Sequence, residues 1–550
     1  MLVSKPLQVL LFGILGAISA FSAPTKPVVN LGYTEYQGFP TAQGNIDFLG
    51  IRYAAPPTGD LRFRAPQAPE AVDGIQLADK QPNICPQAWF GLSPSSPWRT
   101  SANKTTSSSL AKRGFEVPPP SEDCLFLNVA VPGSELKESS KRPVVVWFHG
   151  GGYVSGSASW PGFAPGGVYD ADEIVKLSND NAIVVLIQYR LGLHGFLAGK
   201  GVKKDGALNA GLLDQQFALQ WVQKHISKFG GDPGRVTIWG QSAGGGAVLQ
   251  HLIANGGQTK PALFQNAILN SAYAGPQYRY DERIPEAVFS EVVTRTGCAS
   301  ARNKLQCLRN VDSKVLSEVQ AAVASIGFYG TFVFGPVVDG TVIQDAPLEA
   351  LHQKKINKAN VLTVTNSDEG SLFTNSELVL DSEDYIAQLF PTFPNGQLKT
   401  AAAHYTGLGS KTEQATLIMG ESLYVCPTYT LLRSLGNRGY KGHFAVPPAT
   451  HGADVAYYFP SSLEGGPPFK DPQFIATFAG ALLDFAVTHS PNAARQGSLL
   501  PAWPRWSEAN RKEMVFNRTD DSPAISVVDS LPALQERCRY WDTVAQFTGQ

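Results

Sequence analysis

Apolar residues follow two different periods along this chain. Val144-Val145-Val146-Trp147-Phe148, after Pro143, and the run from Ala182 to Ile187 are short, rich in β-branched residues and without a polar face, which is the pattern of strands covered on both sides. Between the second run and the strand Val236-Thr237-Ile238-Trp239, the stretch Leu212 to His225 (LLDQQFALQWVQKH) carries apolar residues at helical spacing. Strand, helix, strand is the repeating unit of a parallel sheet. The same pattern predicts strands at Ala267 to Leu269, Val361 to Val364 and His443 to Val446, a helix over Ala247 to Ile253 and a long helix over Gln473 to Val487. The predicted fold class is α/β, with a mostly parallel central sheet flanked by helices. The most irregular stretch, Ser93 to Ser121, clusters Ser, Thr and Pro around a Lys112-Arg113 pair and is expected to be an exposed loop. No repeat and no compositional break divides the chain, so residues 23–550 are expected to form one domain with insertions.

Composition narrows the function classes. The 550 residues are 43% hydrophobic, enough for a large core, and 45 Lys plus Arg against 46 Asp plus Glu give a net charge of −1. No basic excess exists to neutralise a nucleic-acid backbone, so no nucleic-acid partner is expected. At the start, Lys5 is the sole charge before a mostly apolar run from Leu7 to Phe21, followed by the small residues Ser22 and Ala23. That is the layout of a secretory signal peptide over residues 1–22, and the run is shorter than the roughly 20 residues of a spanning helix. A secreted protein without a transmembrane anchor is expected. Six cysteines in an oxidising compartment should pair; spacing alone leaves 15 connectivities open, with Cys298 and Cys307 near enough to close a short loop. The sequons at Asn103 and Asn517 sit in polar surroundings and are candidate glycosylation sites.

Two glycine-rich turns carry the chemistry. After the strand ending at Trp239 come Gly240-Gln241-Ser242-Ala243-Gly244 and then a helix-forming run. Strand before and helix after are the required context for GxSxG, a tight turn that exposes the serine hydroxyl as a nucleophile. Upstream, the strand ending at Phe148 runs into His149-Gly150-Gly151-Gly152-Tyr153. Residues without side chains let backbone amides approach a developing oxyanion, and the amides of Gly151, Gly152 and Ala243 are the expected donors.

These turns belong to a longer series of landmarks: FLGIRYAAPPTGDLRF at Phe48 to Phe63, SEDCLFLN at Ser121 to Asn128, HGGGY, YRLG at Tyr189 to Gly192, GLLDQ at Gly211 to Gln215, FGGDP at Phe229 to Pro233 and GQSAGG at Gly240 to Gly245. Their order and content resemble the type B carboxylesterase and lipase family of the α/β-hydrolase fold, over nearly the whole chain after residue 22. The resemblance implies a Ser-His-Glu triad. Glu369, in Asp368-Glu369-Gly370, is the implied acid. Six histidines follow Ser242, and spacing does not choose among them; the resemblance selects His451, in Thr450-His451-Gly452, over His404, His443 and His489. It also implies the disulfides Cys85–Cys124 and Cys298–Cys307, leaving Cys426 and Cys538 to pair by elimination, and the buried ion pairs Arg62–Glu122 and Arg190–Asp214. The Cys85–Cys124 loop, with Trp89 and Trp98, is expected either to cover the site as a lid or to form a rigid rim.

The implied activity is hydrolysis of a small-molecule or lipid ester through an acyl-enzyme, with neither metal nor organic cofactor. Two alternatives share the fold: an acyltransferase that passes the acyl group to an alcohol by the same triad, and a non-catalytic adhesion protein, against which the intact triad argues. Cholinesterases of this family commonly carry Glu before the nucleophile. The neutral Gln241 here argues against a strict preference for cationic choline esters.

Overall fold

A computed structural model describes residues 26–99, 120–160, 167–493 and 495–550. The expected signal peptide, Asn103 and the Lys112-Arg113 pair lie outside these residues. Among the described residues eleven strands form the main sheet: β1 (Phe39–Pro40), β2 (Ile46–Arg52), β3 (Phe126–Val131), β4 (Arg142–Phe148), β5 (Ile183–Ile187), β6 (Gly231–Gln241), β7 (Asn266–Asn270), β8 (Asn360–Asn366), β9 (Gly439–Phe444), β10 (Lys512–Arg518) and β11 (Pro523–Asp529). Their spatial order is β11-β10-β9-β8-β7-β6-β4-β5-β3-β2-β1. The pairings from β5 through β10 are parallel, whereas β1 to β3 on one side and β11 on the other are added antiparallel.

The central strands lack a polar face because each feeds two cores. Val144, Val146 and Phe148 point to one side of β4, into the core that also holds Leu219 and Val222 of helix α1 (Ala210–His225) and Val248 and Leu252 of helix α2 (Ala243–Gly257). Val145 and Trp147 point to the other side, toward Phe478 and Leu482 of helix α3 (Pro472–Thr488). Each such side chain contributes about 1.5–3 kcal/mol by leaving water. Helix α3 starts where its sequence says it must: Asp471 accepts a hydrogen bond from Phe474 N–H at 2.7 Å, and Pro472 takes the first helical position.

Two expectations need correction. The strand expected at His443 to Val446 is β9, Gly439–Phe444. Its first half was hidden by Lys441 and two glycines, yet Lys441 is fully buried, its Nζ donating to Thr365 Oγ1 and, at 2.8 Å, to Gly442 O. Gly442 is small because the Trp503 ring lies 3.1 Å from the place a Cβ would occupy. Secondly, the described start of the Ser93 to Ser121 stretch is not all exposed. Ser96 and Arg99 are buried, with Ser96 N–H donating to Gln388 Oε1 and Arg99 Nη1 donating to Phe393 O. Composition marks the segment as irregular; it carries no information about the surface the segment docks on.

Three disulfides join Cys85 to Cys124, Cys298 to Cys307 and Cys426 to Cys538, the last closing a span of 112 residues. Arg62 and Glu122 pair at 2.8 Å and Arg190 and Asp214 at 2.7 Å, all four buried. Asn517 lies half-buried in β10, opposite Ala524 of β11, with Thr519 exposed beyond the strand end. Among the described residues no helix is long and apolar enough to cross a membrane.

Candidate active site

The parallel strands deliver their loops to one edge of the sheet. Ser242 follows β6, the HGGG turn follows β4, Glu369 lies three residues after β8 and His451 seven residues after β9. All four therefore gather at the carboxyl ends of the strands, the usual site of chemistry in an open parallel sheet.

Ser242 has φ 60° and ψ −126°, a strained conformation for a residue with a side chain. It is held from both neighbours: its N–H donates to Asn270 O at 2.9 Å, and its carbonyl accepts from Gly246 and Tyr273 N–H at 2.8 and 3.0 Å. The flanking glycines follow from the same crowding. A Cβ on Gly240 would sit 2.3 Å from the Gly244 carbonyl carbon, and one on Gly244 would sit 2.0 Å from Phe148 O.

His451 Nδ1 lies 2.6 Å from Glu369 Oε2. Glu369, 2% exposed, is fixed in turn by Asn366 N–H, which donates to its other oxygen at 2.7 Å. An ionised carboxylate only accepts, so Nδ1 carries the proton and Nε2 presents its lone pair. Gln241 Nε2 stands 3.3 Å from that lone pair, in position to donate. Among the described residues the Gln241 amide, and not the Ser242 hydroxyl, forms the hydrogen bond to His451 Nε2. The imidazole is enclosed by aromatic rings, Phe373 at 5.1 Å and Tyr424 at 4.5 Å between centroids, and burial pushes the Tyr424 phenol up, which keeps it neutral.

The loop after β4 lies against the nucleophile. A Cβ on Gly150 would sit 2.8 Å from Gln241 O and 3.0 Å from Ser242 Cβ, and one on Gly152 would sit 1.9 Å from the Phe332 ring. Gly151 and Gly152 take φ of 104° and 63°, where a residue without Cβ is favoured. Among the described residues the amides of Gly151 and Gly152 donate to no protein acceptor, and Ala243, at the first position of α2, has no intrahelical acceptor for its N–H. Tyr189 OH donates to His149 O at 2.8 Å and holds the loop from below. Burial pushes the His149 imidazole down to about 4, so this neighbour of the site stays neutral.

The other histidines and acids go elsewhere. His443 Nε2 is 2.8 Å from Ser367 Oγ, His489 Nδ1 is 2.7 Å from Asn266 Oδ1, and His404 packs on Tyr540. Asp368 accepts from Ser371 N–H at 3.1 Å. Asp454, fully buried, accepts from Asn270 Nδ2 at 2.6 Å and Asn366 Nδ2 at 3.2 Å, and burial pushes its carboxyl above the usual carboxylate range. Asn270 and Asn366, at the ends of β7 and β8, went unnoticed in the sequence; a polar residue closing an apolar strand is the signal they offered. Trp98 lines a cleft beside the site. Among the described residues no group of three or more His, Cys, Asp or Glu side chains is spaced to hold a metal ion.

Comparison with known proteins gives the family. A family model described as "Carboxylesterase family" matches residues 26–541. Carboxylesterase patB of Penicillium expansum is 29% identical, over 95% of this chain and 96% of its own. Carboxylesterase patB of Aspergillus clavatus is 30% identical, over 96% and 97%. The crystal structure of Aspergillus niger EstA has 29% identity and a TM-score of 0.79, over 96% of this chain and 99% of its own. The chain belongs to the carboxylesterase family, has the α/β-hydrolase fold, and is a carboxylic ester hydrolase.

Proposed function

We propose that residues 23–550 form one secreted catalytic domain in which Ser242, His451 and Glu369 hydrolyse carboxylic esters through an acyl-enzyme. The contact between His451 Nδ1 and Glu369 Oε2 at 2.6 Å carries this reading, because it leaves Nε2 as the base on the side of the nucleophile turn. Gln241 holds that nitrogen at rest and yields it to the Ser242 hydroxyl when substrate docks. Ser242 Oγ attacks the ester carbonyl carbon while Nε2 takes its proton, and the carbonyl oxygen gathers negative charge in front of the Gly151, Gly152 and Ala243 amides. The C–O bond to the alcohol then breaks, and the imidazolium returns its proton to the departing oxygen. Water repeats the sequence on the acyl-enzyme, releases the acid and restores Ser242. Glu369 keeps the imidazole in the productive tautomer throughout and stabilises its charged form.

The test is Ser242→Ala. Ester hydrolysis should fall to background and labelling by a serine-directed organophosphate should vanish, with the unfolding midpoint nearly unchanged. A mutant labelled at the wild-type rate would move the nucleophile to another residue.

A further inference from the structure

Gly246 and Gln250 lie on successive turns of one face of α2, which Ser242 immediately precedes, so Gln250 stands about 12 Å from the nucleophile along the helix. This face borders a cleft of about 100 Å³, with Tyr153, Tyr273, Phe332, Gln250 and Gln277 in its wall. The cleft shares walls with the candidate site. Tyr153 follows Gly152, Tyr273 N–H donates to Ser242 O, and the Phe332 ring packs on Gly152. Most of the lining is aromatic or aliphatic; Ser96, Thr331, Gln388 and the Tyr278 hydroxyl add polar groups, and two polar features lie along the α2 face itself. Over Gly246, the buried Tyr153 hydroxyl has no hydrogen-bond partner among the described residues. One turn further, Gln250 Nε2 donates to Gln277 Oε1 at 2.7 Å and Gln277 Nε2 donates back at 3.3 Å, both residues being almost fully buried. Each carboxamide has two N–H donors and two oxygen lone pairs. The reciprocal pair uses one of each and, among the described residues, leaves a donor and an acceptor on both amides for a ligand.

We propose that this cleft receives the acyl part of the ester, and that Gln250 and Gln277 select medium-length acyl chains bearing a hydroxyl or oxo group near the far end. The proposal rests on the triad reading above. The leaving oxygen must face His451 to receive its proton, so the acyl chain points away from His451 and toward the Tyr153 side, where the cleft lies. A plain alkyl chain pressed against the two amides strips their water and offers nothing in return. A distal hydroxyl or oxo group pairs with them, and sites built on buried amides discriminate on that basis.

The experiment compares kcat/KM for a medium-chain p-nitrophenyl ester and its ω-hydroxy counterpart in wild type, Gln250→Leu and Gln277→Met. The ratio is taken within each protein, so partial loss of folded enzyme cancels, and the second variant reads the same ratio should the first fail to fold. Wild type should favour the hydroxylated ester by about tenfold or more, and the variants should bring the ratio to one or below. Wild-type turnover of p-nitrophenyl acetate, too short to reach the amides, reports the triad by itself. Rapid acetate turnover with no preference for the hydroxylated chain, or a preference that survives both variants, overturns the assignment of the two amides. Absence of acetate turnover overturns the triad reading and the proposal with it.

Discussion

Replacing Glu369 by Gln keeps the length and shape of the side chain and turns one oxygen into an NH2 group, and the surroundings leave no good place for that group. One carboxylate oxygen accepts from Asn366 N–H at 2.7 Å and the other faces His451 Nδ1 at 2.6 Å, with the residue 2% exposed. If the amide oxygen stays on Asn366 N–H, the NH2 faces Nδ1. Nδ1 must then become the acceptor, the proton moves to Nε2, and His451 can no longer take a proton from Ser242. If the amide turns over, its NH2 meets Asn366 N–H and two buried donors collide. The first arrangement costs less, so the wrong tautomer should dominate. A triad locked in the wrong tautomer loses about 10⁴ in kcat, which is about 5.5 kcal/mol of transition-state stabilisation. KM should stay within a few-fold, because the buried Glu369 side chain is fully engaged by Asn366 and His451. Steady-state hydrolysis of a soluble chromogenic ester gives both constants, and circular dichroism checks the fold. A kcat within tenfold of wild type would refute the reasoning and turn attention to Asp454, the other buried carboxyl bound to Asn366.

Gly244→Ala should destabilise the protein by about 1–3 kcal/mol or more, because its Cβ would lie 2.0 Å from the backbone oxygen of Phe148, which cannot rotate away; an unchanged urea midpoint would contradict this. Removing the Cys426–Cys538 bridge by a double Ala replacement should cost about 4–5 kcal/mol, since it frees a 112-residue span in the unfolded chain; denaturant titration beside wild type measures it, and equal midpoints would speak against it. His251, buried beside Gln215, is pushed down to about 4 by burial. Its folded value lies below the unfolded one of about 6.5, so the stability it contributes is complete above that pH and is lost as pH falls through about 4, a change of about 3 kcal/mol. Unfolding free energies at pH 7 and pH 4 should therefore converge less for wild type than for His251→Gln, which keeps a donor to Gln215; equal pH dependence in the two proteins would rule out this account.

Much of this molecule is written locally. An apolar run without a polar face means burial on both sides, so β4 and β5 were legible from Val144 to Phe148 and from Ala182 to Ile187, each bounded within a few residues. The nucleophile turn was legible for the same reason: the crowding around Ser242 falls on Gly240 and Gly244, inside one pentapeptide. Where the local signal failed, a distant partner had overridden it. β9 begins at Gly439 because Thr365 and Trp503, remote in sequence, supply a hydrogen bond to Lys441 and a ring over Gly442. Ser96 and Arg99 are buried because carbonyl and amide groups nearly three hundred residues away accept and fill their valences.

The chemistry divides along the same line. Chain order places a serine in its turn and glycines beside it, although Gly244 answers to the distant Phe148 carbonyl as much as to its neighbours. It does not say which of six histidines meets which acid; that depends on the parallel register of β8 against β9, which brings His451 to Glu369 across 82 residues. Nor does it disclose that Gln241 reaches Nε2, that Asn366 braces the carboxylate, or that Gln250 and Gln277 close on each other. Such contacts are made by side chains on different elements, and their geometry comes into being when the sheet is assembled and the two cores fix the distance between its loops.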